Sequence, residues 1–136
     1  MKVPLTKIYE NLDFVTDRLS TQTRTLTLGV LSLVWLFLSG DKDAPALKLG
    51  NSREQLLAIA ALCVLTLLID AVQNLAYYLS SDAVRRAAES NSQAEAGYDE
   101  TSLLRRLQQG CFWAKQIFAS LATVWLLVVL VVSILK

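Results

Sequence analysis

LLAIAALCVLTLLID, Leu56–Asp70, followed by AVQNLAYYL, Ala71–Leu79, decides how the whole chain is read. From Leu56 to Ile69 no residue carries a formal charge, and Asp70 then follows inside the same apolar segment. Crossing a bilayer takes about 20 largely apolar residues. The segment reaches that length only by including the carboxylate. A carboxylate at such depth is costly, so its default reading is a functional or assembly role.

Two further apolar segments flank this one, Thr25–Ser39 and Cys111–Leu135. Hydrophobic residues make up 54% of the chain and charged residues 18%, and their clustering makes the composition membrane-like. The expected fold is all-α: one integral-membrane domain over 1–136, with three transmembrane helices, helical cytoplasmic extensions and assembly as a homo-oligomer. Its parts are a cytoplasmic amphipathic arm (1–24), a first span (25–39), a second span (55–79), a cytoplasmic helical hairpin (80–110) and a third span (111–135).

Composition also excludes functions. A net charge of +1 gives no concentrated basic patch for nucleic acid. There is no histidine, and antiparallel spans set Cys63 and Cys111 nearer opposite membrane faces, so neither a zinc site nor a disulfide is expected. No glycine-rich phosphate loop and no paired carboxylates occur in a cleft-forming region. The expectation is no catalytic residue, no cofactor and no enzyme. Met1–Arg24 lacks the apolar core of a secretory signal, so insertion is expected to rely on the internal spans.

Basic residues gather on the cytoplasmic side of short loops. Lys2, Lys7, Arg18, Arg24, Arg85, Arg86, Arg105, Arg106 and Lys115 lie on one side of a three-span arrangement. Lys42, Lys48, Arg53 and Lys136 lie on the other. The expected topology is N-terminus cytoplasmic and C-terminus outside, in a bacterial inner membrane. Tyr77, Tyr78, Phe112 and Trp113 then fall near the inner interface, and Trp35 and Phe37 near the outer one, as aromatic belts do. Trp125 lies mid-span and is assigned to helix packing.

Leu5, Ile8, Leu12, Val15 and Leu19 alternate spacings of three and four, the a/d pattern of a packed helix seam. No Gly or Pro interrupts Thr6–Leu28, so the arm is expected to run straight into the first span. The cytoplasmic extensions are expected to be amphipathic because they pack on one another. Gly40–Ser52 reads as a turn or coil, Ser52 as a cap of the second helix, Ser90–Gly97 as the hairpin tip, and Asp99 or Thr101 as a cap of the third.

Thr66, Asp70, Gln73, Asn74, Tyr77 and Ser81 share one face of the second span. The third span answers with Lys115, Gln116, Ser120 and Thr123. A lysine side chain is long enough to bridge the turn of depth between Lys115 and Asp70. Three readings of this stripe stay open: hydrogen-bonded glue between helices, the lining of a water-filled path formed by several copies, and a proton relay. Small residues (Thr25, Gly29, Ala58, Ala61, Gly110, Ala114, Ala119, Thr123) allow close packing within or between copies. The pairs Arg85–Arg86 and Arg105–Arg106 are candidates to clamp a phosphate, a lipid headgroup or an acidic partner. The alternative is that they set topology and pair with Glu89, Glu95, Asp99 and Glu100.

In architecture the chain resembles the small multi-span effectors of bacterial anti-phage defence, including the SLATT type. The likeness rests on the arm Leu5–Arg24 running into a short first span and on a second span bearing Asp70. It implies growth arrest by loss of membrane integrity. With the polar stripe and small faces, the expected function is an oligomer that forms a pore or perturbs the membrane, with lipid, further copies and a protein trigger at the cytoplasmic helices as partners. The resemblance carries over no site residues. The alternatives are a non-catalytic membrane scaffold or accessory subunit, and a holin-like lysis protein; three-span holins are similar in length but differ in orientation and in their charged tail.

Overall fold

A computed structural model describes residues 3–39, 53–90 and 103–135. It contains three helices, α1 (Leu5–Ser39), α2 (Arg53–Ser90) and α3 (Leu103–Leu135). α2 and α3 are long and apolar enough to cross a membrane. α1 differs because its apolar run begins only at Thr25, after the polar turn Gln22–Arg24. The expected coil at 40–52, the hairpin tip and the caps at Ser52, Asp99 and Thr101 lie outside the described residues.

Helix formation follows from local chemistry. Pro4 stands just before α1, where its fixed φ suits a helix start, and its carbonyl accepts from the Lys7 and Ile8 amides at 3.0 and 3.3 Å. Glu54 lies in the first turn of α2, where negative charge complements the helix dipole. α1 is rich in hydroxyl residues, yet these do not demand water. Thr21, Thr23, Thr25, Thr27, Ser32 and Ser39 each donate to the carbonyl four residues earlier, at 2.7–3.1 Å. Such back-bonding satisfies the hydroxyl locally and lowers the cost of placing the helix in an apolar medium.

The bundle is ordered along its length. One half is a dry core of Val30, Val34, Leu56, Ile59, Cys63, Ala122, Leu126 and Val129. Leu56 and Ile59 open α2, whereas Leu126 and Val129 close α3, so these two helices run antiparallel. α1 brings Val30 and Val34 from its C-terminal half, so it runs parallel to α3. The other half of the bundle is polar: Thr23, Thr27, Thr66, Asp70 and Lys115 are buried.

Full burial ends beyond this polar level. The first buried residue of α1 is Thr23, the last of α2 is Ala76 and the first of α3 is Lys115. None of the described extensions beyond these points contributes a buried residue. This corrects the expectation that the extensions pack on one another for the N-terminal arm, which nothing described in the chain covers. The α2 and α3 extensions keep half-buried residues at helical spacing, Ser81, Val84 and Ala88 on one and Leu104, Gln108 and Cys111 on the other. Leu5, Ile8, Leu12, Val15 and Leu19 are 41–69% exposed. The periodicity identified an apolar helix face but not whether anything within the chain covers it. Trp125, assigned to packing, is 41% exposed. Its neighbour Leu126 takes the inward position instead.

Candidate functional site: a buried ion cluster joining three helices

Asp70 is the centre of the polar half. Its Oδ1 accepts from Lys115 Nζ at 2.6 Å and from Ser20 Oγ at 3.4 Å. Its Oδ2 accepts from Arg24 Nη2 at 2.6 Å, Arg24 Nε at 2.8 Å and Asn74 Nδ2 at 3.5 Å. Lys115 Nζ also donates to Ser20 Oγ at 2.5 Å and lies 5.8 Å from the Phe112 ring centroid, a cation–π distance. One carboxylate thus holds donors from all three helices.

Exposure distinguishes the two cations. The Lys115 side chain is 1% exposed and the Asp70 side chain 9%, whereas Arg24 is 46% exposed. Coulomb attraction grows as the surroundings lose water, but so does the desolvation cost. The cost is met only when the remaining lone pairs and protons also find partners. Ser20 and Phe112 supply these for the ammonium, and Arg24 and Asn74 for the carboxylate.

A second contact lies beside the first. Thr23 Oγ1 is 2.8 Å from the Leu19 carbonyl and 2.6 Å from Gln116 Oε1, but a hydroxyl has one proton. With the proton committed to Leu19, a half-turn of the Gln116 amide brings Nε2 to Thr23 as donor. That turn also employs Nε2, which is otherwise buried without a partner. In either orientation one Gln116 amide atom stays unpaired. Gln73 Oε1 is likewise buried and unpaired.

The expected stripe therefore divides by environment. Thr66 is buried and donates to the Leu62 carbonyl at 2.8 Å. Asp70 and Lys115 meet inside the bundle, with Gln73 and Gln116 half-buried beside them. Asn74 is exposed, and Tyr77 is 62% exposed. Tyr77 shares the helical face of Thr66, but α1 contributes no buried residue N-terminal to Thr23 to cover it. Thr123 is half-buried and donates to the Ala119 carbonyl at 2.8 Å. Ser120 is exposed, in a shallow groove with Trp113, Gln116, Ile117, Leu121 and Val124. Of the small residues, Ala119 is buried at 3%, whereas Thr25, Gly29, Ala58, Ala61 and Gly110 face outward.

The arginine pairs behave differently. Arg85 and Arg86 both pair with Asp82 of their own helix, at 3.0 and 2.9 Å, and Arg85 also reaches Glu89 at 3.8 Å. Their charge is largely answered within one turn of α2. Arg105 and Arg106 are exposed on the first turn of α3; Glu95, Asp99 and Glu100, named as their partners, lie outside the described residues.

Sequence reasoning missed the α1 contribution, Ser20, Thr23 and Arg24. In the sequence alone Arg24 reads as a topology charge. A signal was present: Ser20, Arg24 and Thr27 recur at steps of four and three, a short polar stripe entering an apolar span. No family model, curated protein or solved structure matches this chain.

Proposed function

We propose that the chain is a three-span integral membrane protein, N-terminus cytoplasmic and C-terminus outside, that acts without catalysis as a scaffold or accessory subunit. In this reading the spans form a locked anchor and the uncovered arm presents its apolar face to further copies or a protein trigger. The observation that carries it is the Asp70 cluster. A carboxylate that engages Arg24, Lys115 and Asn74 together ties α1 to the two apolar helices. That tie supports α1 as the third span, its short apolar run being completed by a neutralised polar turn.

The same geometry argues against a water path through a single chain. Past Thr27 and Thr66 the interior is filled by Val30, Val34, Ile59 and Cys63, all 5% exposed or less. The test is dye retention in liposomes carrying the purified chain at graded density. The scaffold reading predicts retention throughout. Leakage by wild type that Asp70→Asn alters would overturn it.

A second reading, a membrane-perturbing oligomer of the kind that the architectural resemblance implies, is favoured by one observation. Ser120 is exposed mid-span, beside the half-satisfied amide of Gln116. A second copy covering that groove would place polar groups between protomers. Density-dependent leakage lost on Ser120→Leu would support this reading.

A further inference from the structure

The charges of the cluster do not balance. Asp70 carries one formal negative charge against two positive charges, Lys115 and Arg24. Lys115 is enclosed, so the surplus is presented by Arg24, which is 46% exposed. Its guanidinium has five N–H donors, and only the one on Nε and one of the two on Nη2 are directed at Asp70 Oδ2. The Asn74 amide reaches the same oxygen at 3.5 Å, a weak contact that leaves its other N–H uncommitted, and its side chain is also exposed. Donors from α1 and α2 thus meet at Asp70 Oδ2, and both side chains that carry them are exposed. Arg85 and Arg86, by contrast, face two carboxylates, Asp82 and Glu89.

We propose that the α1–α2 seam at Arg24 and Asn74 binds a phosphate group, that of an anionic lipid headgroup at the inner membrane interface. This rests on α1 being a span, since only then does Arg24 stand at the inner end of a membrane segment. The chemistry is that of the arginine fork, whose parallel N–H groups suit two phosphate oxygens. Asn74 supplies a third donor, and the phosphate neutralises the surplus charge of the cluster. Trp113 and Tyr77, exposed at 60% and 62%, are of the type found at headgroup depth.

The experiment uses the full chain in vesicles of phosphatidylcholine alone or with one fifth phosphatidylglycerol. Lipid retained after detergent extraction is read by native mass spectrometry. Wild type is expected to retain phosphatidylglycerol about tenfold over phosphatidylcholine, a typical gain for one charge-assisted contact. Asn74→Asp, which cancels the surplus charge yet leaves Lys115 and Arg24 in place, should abolish the preference, with the thermal midpoint read alongside to show that the variant still unfolds cooperatively. Arg24→Lys should keep only part of it, because the charge remains and the fork is lost. Displacement of the lipid by millimolar inorganic phosphate would identify a general phosphate site; resistance would identify a lipid-specific one. Equal retention of both lipids by wild type, or full preference in Asn74→Asp, overturns the proposal. Thiol labelling of Ser39→Cys in the same vesicles separates the two ideas. If Ser39 and the arm lie on opposite sides while retention is equal, the site fails and the span stands. If they lie on one side, the span itself fails.

Discussion

Lys115 Nζ and Asp70 Oδ1 lie 2.6 Å apart, although their residues are 45 positions apart in sequence. The lysine is more deeply enclosed than the carboxylate it serves. Truncating different members of this cluster therefore leaves different charges stranded. Asp70→Leu strands two cations, one of them buried, and should cost about 3–5 kcal/mol. Lys115→Met leaves Asp70 with Arg24 and should cost less. Arg24→Gln leaves the enclosed pair intact and should cost least, because the guanidinium is half exposed and partly screened. Thermal midpoints in one detergent would give this order; Arg24→Gln as the most damaging change would mean that the cluster is held from α1 and not from α3.

The arm makes a separate claim. Leu12 and Val15 are 56% and 50% exposed within one chain, so their replacement by Asp should leave the folded unit's thermal midpoint unchanged. Assembly should be lost, because an unpaired charge in an intermolecular seam is costly. Size measured by light scattering in detergent, alongside the midpoint, checks both halves. A fall in midpoint without any change in size would place the arm inside the protomer.

The proposed topology rests on the distribution of basic residues. In the proposed three-span arrangement nine lie on the N-terminal side and four on the other, and positive charge favours the cytoplasmic face. Single-cysteine variants of a cysteine-free chain should label from outside intact cells at Ser52→Cys and not at Ser92→Cys. Labelling of Ser92→Cys from outside would reverse the arrangement.

Much of the fold was readable from residue order. The uncharged run before Asp70 marked α2, and the run after Cys111 marked α3. Asp70 stood out because a carboxylate in such a run needs an answer, and Lys115 lay within reach of it. Two things were not readable. Periodicity at Leu5–Leu19 gives a face its character but not its neighbour, and no described element of the chain packs there. Arg24 precedes an apolar run, where an arginine serves equally as a topology signal or as an ion-pair partner. Only the axial alignment of α1 with Asp70 distinguishes these roles. The same alignment explains why Tyr77, in phase with Thr66, lies outside the cluster.

The central claim, that Asp70 and Lys115 are coupled inside one three-helix unit, is most directly tested by a double-mutant cycle. Asp70→Leu, Lys115→Met and the two combined would be unfolded reversibly in mixed micelles. A buried pair replaced as a whole by apolar residues is often neutral, whereas losing one partner is not. The account predicts that the double variant recovers most of the loss caused by Asp70→Leu, with a coupling energy of about 2–3 kcal/mol. Additive losses, with the double variant the least stable of the three, would contradict it.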